Sequence, residues 1–165
     1  MRHPTQSPVT GGCQCGAVRY RASEMLDNAH LCHCRMCQKA VGNIFAALVA
    51  APNHALEFTR GAPSLYRSSG NVERGFCNQC GTPLFYRDMN GNRTNLTIGS
   101  LDHAEAFAPK VQMGSESRVF WFASLAELDD EGPTGSNGEE GWAAAIAATS
   151  RQHPDHDTPH WPGSD

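Results

Sequence analysis

The chain has 165 residues, of which 39% are hydrophobic and 18% are charged. That length fits one domain with a small appendage, and the composition excludes a wholly disordered chain and a coiled coil. The longest strictly apolar run, residues 44–51, is far shorter than the roughly 18 residues of a membrane-spanning helix, so no membrane interaction is expected. Residues 1–12 contain no apolar signal-peptide segment, and we therefore expect a cytoplasmic protein.

The formal net charge of −4 conceals two regions of opposite sign. Residues 1–128 carry 12 basic and 9 acidic side chains, whereas residues 129–165 carry 1 and 8. The resulting charge of +3 on the first region is too small to indicate nucleic-acid binding, but it is compatible with a small anionic ligand. Of the 13 basic residues 11 are arginine, which either suits carboxylate recognition or reflects genome composition.

Short segments with alternating apolar residues predict β-strands along most of the chain. Residues 17–22 are the first, because Val18 and Tyr20 alternate there with arginines. Similar segments are residues 30–33, 44–50, 56–58, 64–66, 72–74, 84–86 and 95–99. Turn signals, including the Asn-Gly pair at 90–91, recur about every 8–12 residues. This spacing predicts an all-β sheet assembly.

Residues 129–165 have a different composition and are predicted to form an acidic tail rich in Gly and Pro. Residues 131–140 resemble a linker, and the Ala-rich segment within 140–149 predicts a short helix. Residues 151–165 contain three His, three Pro and no aliphatic side chain, which indicates disorder. We interpret His153, His156 and His160 as part of a polar tail rather than as metal ligands.

Seven cysteines are the most informative feature of the composition. Because seven is odd, a pure disulfide framework would leave one thiol without a partner. In the reducing compartment expected here disulfides are rare, and clustered cysteines more often bind metal. The sequence therefore indicates thiolate chemistry.

Two of the three cysteine groups predict a closed metal site. Cys13 and Cys15 are two residues apart, and on a strand they would point to the same face. Cys77 and Cys80, followed by Gly81, have the spacing of a zinc-knuckle turn, which glycine helps to close. Together the two pairs supply four thiolates, the donor set of a structural zinc.

The third group, Cys32, Cys34 and Cys37, supplies three thiolates from one short segment. Three protein ligands and one open position are typical of a catalytic or labile zinc. His33 lies between two of the cysteines, and in an extended segment its ring points to the other face. We therefore expect His33 to be packed or hydrogen-bonded rather than ligating.

Three alternatives to zinc can be weighed against these spacings. Buried free cysteines are common, but chance does not easily produce this ordered series. An iron–sulfur cluster also uses four thiolates, although a C-x-C pair with a distant knuckle fits mononuclear zinc better. A thioredoxin-type C-x-x-C would need a βαβ context, which the sequence lacks.

The cysteines lie in three recognisable sequence contexts. These are Gly11-Gly-Cys13-Gln-Cys15-Gly16-Ala-Val, Cys32-His-Cys34-Arg-Met-Cys37 and Phe76-Cys77-Asn-Gln-Cys80-Gly81-Thr82-Pro-Leu84. With Ile98-Gly-Ser-Leu101-Asp102 and Pro109, they resemble the glutathione-dependent formaldehyde-activating enzyme family, also called the centromere protein V / Gfa type. The resemblance covers roughly residues 10–128. One departure is Gln112-Met113, where the family often has a His-Ile pair.

The resemblance implies a mainly β fold called the β-tent, or Mss4-like fold, in which small sheets surround zinc. Its structural zinc ligands correspond to Cys13, Cys15, Cys77 and Cys80, and its second, catalytic site corresponds to Cys32, Cys34 and Cys37. The founding activity of the family adds the glutathione thiol to formaldehyde and yields S-(hydroxymethyl)glutathione. It is classed as a carbon–sulfur lyase after the reverse direction.

The residues are compatible with that chemistry. A zinc with an open position can lower the pKa of a bound thiol or polarise a carbonyl. Glutathione carries two carboxylates, and Arg19, Arg35 and Arg74 lie near the motifs, with Arg35 the best candidate to bind it. The expected partners are therefore glutathione or another small thiol and a small aldehyde, with the oligomeric state left open.

Two other functions are compatible with the same cysteine pattern. One alternative is a zinc-stabilised binding module without catalysis, since the Mss4-like fold also serves in partner binding. Such a module would need only the four-thiolate site. A redox sensor would instead use Cys32, Cys34 and Cys37 as reversible thiols. Two zinc ions, one of them labile, would favour the enzyme, and one tightly bound zinc would favour the module. Reversible loss of thiols on mild oxidation would indicate the sensor.

Overall fold

The computed structural model describes residues 2–3, 8–136 and 138–160, and within them the chain is mainly β, as predicted. The strands are β1 (Arg2–His3), β2 (Val9–Gly12), β3 (Arg19–Ala22), β4 (Met25–Leu26), β5 (His30–Cys32), β6 (Ala46–Pro52), β7 (Leu56–Arg60), β8 (Ser64–Arg67), β9 (Val72–Phe76), β10 (Pro83–Asp88), β11 (Arg93–Thr97) and β12 (Val111–Met113). The α-helices are α1 (Arg35–Val41) and α2 (Glu140–Ala148). Short 3-10 turns are Asn53–Ala55, Ile98–Ser100, Ala104–Ala106, Ser115–Ser117 and Phe120–Glu127.

The described strands form three sheets. Seven strands pair in the order β12-β5-β6-β11-β10-β9-β8, three in the order β2-β3-β7, and β1 pairs with β4. All neighbours are antiparallel except β12, which runs parallel to β5. Small, separate sheets of short strands agree with the β-tent expectation. All of them belong to one compact unit, residues 1–118 together with residues 153–165.

Aromatic and aliphatic side chains from the two larger sheets form the core. Tyr20, Leu84 and Leu96 are completely buried, and Phe58 contacts the rings of both Tyr20 and Phe85. Cys13 and Cys77 are buried in this same cluster, so the first cysteine of each predicted pair is part of the core. The hydrophobic core therefore brings those two segments of the chain together.

Helix α1 is one of the elements that the strand pattern missed, together with the short strands β2, β4 and β12. It begins after Cys34, whose Sγ accepts a hydrogen bond from the backbone N–H of Cys37 at 3.4 Å. It ends at Gly42, which adopts the left-handed conformation with φ 64°. Seven residues are only two turns, too few to show a helical period in the sequence.

A second compact unit comprises residues 119–152. It contains the 3-10 turn Phe120–Glu127 and helix α2, which falls within the range where the sequence predicts a helix. Large apolar side chains are exposed in this unit, including Phe120, Trp142 and Ile146. No helix in residues 2–3, 8–136 and 138–160 combines the length and the apolarity that crossing a membrane requires.

Residues 153–158 differ from the disordered tail that the composition predicts. His153 is 6% exposed, and its backbone N–H donates to the carbonyl of Gln14 at 2.7 Å. Arg60 donates from Nη1 to the His153 ring at 3.3 Å and from Nη2 to the carbonyl of Thr158. Burial lowers the pKa of His153, which keeps the ring a neutral acceptor at pH 7. Residues 161–165 of the predicted tail lie outside the described residues.

A buried ion pair fixes the packing beside this segment. Arg19 donates from Nη1 and Nη2 to the Asp102 carboxylate at 2.8 and 2.6 Å, and both side chains are almost fully buried. The Thr10 hydroxyl donates to the same carboxylate, and Asp157 accepts from Arg19 at 2.8 Å. Burial acts to raise the pKa of Asp102, but the hydrogen bonds from Arg19 and Thr10 outweigh it and lower the pKa.

We expect Asp102→Asn to destabilise the fold by about 2–3 kcal/mol at pH 7, because it leaves the buried Arg19 guanidinium without its main counter-charge. Asp102 has a lowered pKa in the folded state, so its contribution is complete at neutral pH. This stabilising contribution declines as the pH falls below 3.8, the ordinary pKa of an aspartate side chain. Urea unfolding measures the effect, with Asp88→Asn, at an exposed carboxylate at the end of β10, as control. Equal stability of the two variants would contradict this role.

We expect removal of residues 153–165 to lower the thermal midpoint by roughly 5 °C, about 1–2 kcal/mol for a chain of this length. The truncated chain loses the contacts of His153, Asp157 and Thr158 with Gln14, Arg19 and Arg60. His153→Ala should reproduce part of the loss, whereas His156→Ala should not, because His156 is exposed. Thermal unfolding that is identical in the full and truncated chains would show that the segment does not stabilise the body.

Candidate metal centres

Four cysteine side chains converge within the core. The Sγ atoms of Cys13, Cys15, Cys77 and Cys80 all lie within 4.8 Å of one another. The distance is 3.6 Å between Cys13 and Cys15 and 3.8 Å between Cys15 and Cys77. Tetrahedral zinc with Zn–S bonds of about 2.3 Å requires its sulfurs to be roughly 3.8 Å apart. The spacing and the all-sulfur donor set therefore fit a zinc ion.

The Cys13–Cys15 pair and the Cys77–Cys80 pair each lie in a tight turn that a glycine closes. β2 ends before the first pair, so that pair occupies a turn and not the strand that the sequence predicts. Gly16 and Gly81 follow the two pairs with φ of 79° and 78°, a left-handed conformation that favours glycine. Their N–H groups donate to the carbonyls of Cys13 and Cys77 at 3.0 and 2.9 Å. The first pair is thus a second knuckle, in which the turn directs the sulfurs.

Backbone N–H groups point at the first sulfur of each turn. Val18 donates to Cys13 Sγ at 3.2 Å, and Gln79 donates to Cys77 Sγ at 3.4 Å. Hydrogen bonds to the charged form favour it, and a metal binds cysteine as the thiolate. The turns therefore prepare the sulfurs electrostatically as well as sterically.

Thr82 joins the two turns. Its Oγ1 accepts from the backbone N–H of Gln14 at 3.0 Å and lies 3.2 Å from Cys80 Sγ. Burial acts to raise the pKa of Cys80, but hydrogen bonds from Thr82 and Cys15 outweigh it and lower the pKa to about 6. Burial raises the pKa of Cys15 to about 12. Of these two sulfurs, Cys80 is therefore the one more readily present as the thiolate.

Cys32, Cys34 and Cys37 form a second cluster, with their Sγ atoms within 4.8 Å of one another. Cys32 ends β5 opposite Ala46 of β6, Cys34 caps α1, and Cys37 lies in the first turn of that helix. A strand end followed at once by a helix start folds all three sulfurs toward one point. The cluster offers three ligands to a metal and leaves a fourth tetrahedral position to another group.

Cys32 and Cys34 differ in their readiness to ionise. Burial raises the pKa of Cys32 to about 12. Burial acts in the same direction on Cys34, but hydrogen bonds from Cys37 and Cys32, together with the charge of Arg74, lower its pKa. Of Cys32 and Cys34, Cys34 is therefore the one more readily present as the thiolate.

His33 is hydrogen-bonded, as the sequence predicts. Its ring is completely buried, packs edge-on against Phe45 and places Nε2 3.0 Å from the side-chain oxygen of Gln112. Gln112 lies on β12, beside β5, at the position that departs from the resembled family. The departure therefore affects the partner of His33 through Gln112, and through Met113 it affects the strand that pairs with Cys32.

Gln38 is a buried polar residue that sequence reasoning missed. Its Nε2 donates to the carbonyls of His33 and Ser117, each at 2.8 Å, and its Oε1 accepts from Arg35 Nη1 at 2.9 Å. These bonds hold the start of α1 against the chain that follows β12. Nothing in the sequence marks this uncharged glutamine as part of the site, because the helix that carries it was not predicted.

A cavity of about 610 Å³ lies beside the three-thiol cluster. Its lining shares Ala46 and Leu48 with the apolar packing around Cys32 and Cys37. Its cationic and aromatic lining residues are Arg35, Lys39, Arg74, Tyr66, Phe76, Phe85 and Tyr86. The volume lies in the range of sites that hold small organic ligands. The cavity therefore offers a mainly apolar, partly aromatic space with three cationic side chains, beside the residues that pack around Cys32 and Cys37.

The three arginines that the sequence singles out have different surroundings. Arg35 lines the cavity, is exposed and is held by Gln38. Arg74 also lines the cavity, and its Nη2 donates to Cys37 Sγ at 3.6 Å. Arg19 instead pairs with Asp102 in the core. Sequence proximity favoured Arg35, whereas the strand pairing of the sheet brings Arg74 to the sulfur.

Curated relatives match part of this chain. A protein of Phaeosphaeria nodorum, named as a candidate glutathione-dependent formaldehyde-activating enzyme, is 31% identical over 80 residues, or 47% of this chain and 42% of its own. A protein of Schizosaccharomyces pombe, named as an uncharacterised lyase, is 30% identical over 81 residues, or 49% of this chain and 58% of its own. The chain thus spans about half the length of these relatives.

A solved structure and a family profile extend the comparison. A Rhodobacter sphaeroides protein, solved as a structural-genomics target, superposes with a TM-score of 0.53 and 24% identity over 63% of this chain and 99% of its own, which shows a shared fold. The profile of the family described as glutathione-dependent formaldehyde-activating enzyme matches residues 8–117, which include both cysteine clusters. The chain therefore belongs to the glutathione-dependent formaldehyde-activating enzyme family.

Proposed function

We propose that the protein is a zinc-dependent enzyme of the carbon–sulfur lyase type, which adds glutathione or a similar thiol to formaldehyde or a related small aldehyde. The observation that carries this proposal is the three-thiol cluster beside a cavity with cationic walls. Membership of the family and the lyase name of one relative support the same class of reaction.

Two zinc sites with different roles are part of the proposal. Cys13, Cys15, Cys77 and Cys80 would hold a structural ion, because four sulfurs leave no position for a substrate. Cys32, Cys34 and Cys37 would hold a second, more labile ion with one open position. Its lability follows from its location, since one short segment can release the ion without opening the core.

The proposed reaction adds the S–H bond of a thiol across the C=O bond of an aldehyde. A new carbon–sulfur bond forms, the carbonyl π electrons become an alkoxide, and the thiol proton ends on that oxygen. Zinc at the second site supplies a Lewis acid and lowers the pKa of a bound thiol. Arg35, Lys39 and Arg74 bring positive charge to the cavity, which suits the two carboxylates of glutathione.

We expect Cys80→Ala to unfold or insolubilise the protein. A structural zinc contributes on the order of 10 kcal/mol in small sites, and this variant would leave three thiolates in the core. Metal analysis and thermal unfolding measure the effect, with Met36→Ala as control, because Met36 is exposed. A soluble variant with full zinc content and wild-type melting would contradict a structural role for Cys80.

We expect Cys34→Ser to abolish glutathione binding and aldehyde-adduct formation while the thermal midpoint stays close to wild type. Serine can still cap α1, so the helix start is retained although the sulfur is lost. Calorimetric titration with glutathione, alongside zinc analysis, compares the two proteins. If the wild type does not respond to millimolar glutathione, the enzyme proposal is wrong, and a zinc-stabilised binding module becomes the better account.

A further inference from the structure

Arg74 is a buried cation in contact with the three-thiol cluster. Its side chain lies on β9, it is 9% exposed, and its Nη2 donates to Cys37 Sγ at 3.6 Å. Its Cζ lies 5.3 Å from the centroid of the Tyr86 ring, within range of a cation–π interaction. In the register of the sheet Arg74 pairs with Tyr66 on one side and Tyr86 on the other. All three residues line the cavity, so the guanidinium is held at the boundary between sulfurs and open space.

The position of the Arg74 guanidinium matters because the second metal site would carry excess negative charge. Three thiolates and one divalent cation carry a net charge of −1, and a thiolate in the fourth position would raise it to −2. Excess charge near a partly buried site is costly unless an opposite charge lies close by. A neutral fourth ligand, such as imidazole, adds no such charge. The arginine guanidinium is always protonated, so it compensates one negative charge at any working pH.

We propose that Arg74 is a specificity-determining residue of the second site and selects an anionic thiolate over a neutral ligand for the fourth metal position. This inference rests on the proposed function, because it assumes a metal bound by Cys32, Cys34 and Cys37. Arg35 and Lys39 also line the cavity, but both are exposed, and solvent screens their charges. Arg74 is sheltered and hydrogen-bonded to a ligand sulfur, so its charge acts directly on the cluster.

The test compares Arg74→Gln with Arg87→Gln in cobalt-substituted protein, because the visible spectrum of cobalt reports changes in its ligands. Arg87 is a close control: it lies one strand away on β10, and its Cζ is also 5.3 Å from an aromatic centroid, that of Phe85. It pairs with Glu73 and does not line the cavity. Each protein is titrated with 2-mercaptoethanol as the source of thiolate and with imidazole as the neutral ligand.

We expect Arg74→Gln to weaken 2-mercaptoethanol binding at least tenfold, about 1.4 kcal/mol, and to leave imidazole binding unchanged. Arg87→Gln should bind both ligands as the wild type does. A merely structural role for Arg74 would weaken both ligands equally, and that result would overturn the inference, as would unchanged thiol binding. Arg74→Lys keeps the charge and should retain the thiol preference. If Arg74→Gln does not fold, loss of that preference in Arg74→Lys overturns the inference.

The same titrations separate this inference from the proposed function. If the wild type binds 2-mercaptoethanol but not glutathione, the glutathione proposal fails, and the comparison of Arg74→Gln with the wild type still decides the role of Arg74. If the wild type binds glutathione and Arg74→Gln binds it equally well, the enzyme proposal survives and the role of Arg74 is wrong. If no cobalt spectrum arises from the three-thiol cluster, both fail.

Discussion

The meeting of two knuckle turns is the constraint on which the rest of the structure depends. Cys15 and Cys77 are separated by 62 residues, yet their sulfurs are 3.8 Å apart. The first turn follows β2 in the three-stranded sheet, and the second joins β9 to β10 in the seven-stranded sheet. Because both turns must meet within sulfur contact, the ends of the two sheets have little freedom. The aromatic core around Phe58 and Phe85 fills the space between them.

One strand connects this constraint to the candidate catalytic cluster. β9 carries Arg74 and ends at Phe76, immediately before Cys77 of the second knuckle. The position of the knuckle therefore determines the position of the guanidinium beside Cys37. A short, rigid connection of this kind suits a site in which a charge must lie close to a sulfur. Gly75, between these residues, leaves room for the Phe85 ring, because a Cβ there would lie 2.1 Å from it.

The C-terminal segment, residues 153–158, packs against the first knuckle and the buried ion pair beside it. His153 packs over Gly16, where any Cβ would lie 2.2 Å from the ring, and Asp157 reaches the buried Arg19. Arg19 in turn holds Asp102, next to the bridge between Gly11 and Leu101. A segment without aliphatic side chains is thus held by polar contacts and by the packing of one histidine ring. Composition predicts disorder for such a segment because it has little apolar surface to bury, and it cannot foresee buried charged partners elsewhere in the chain.

Local signals were sufficient for much of the fold, for the two cysteine pairs and for the three-cysteine group, and the ligand count of four joined the two pairs. Strand alternation and turn residues act over a few positions, so the succession of short strands was predictable from residues 17–99. The spacing of Cys32, Cys34 and Cys37 also brings three sulfurs together locally. The helix that begins at Cys34 was not predictable, because two turns carry too little periodicity.

The sequence by itself determined which sulfurs belong together and which family the chain resembles, since spacing along the chain carries both. Only the tertiary structure decided that Cys13 and Cys15 occupy a turn, that Arg74 rather than Arg35 contacts a cluster sulfur, and that His153 is buried. The positions of Arg74 and His153 depend on contacts between segments distant in sequence. Such contacts leave no local pattern, because the energy that selects them comes from packing and desolvation in the folded chain.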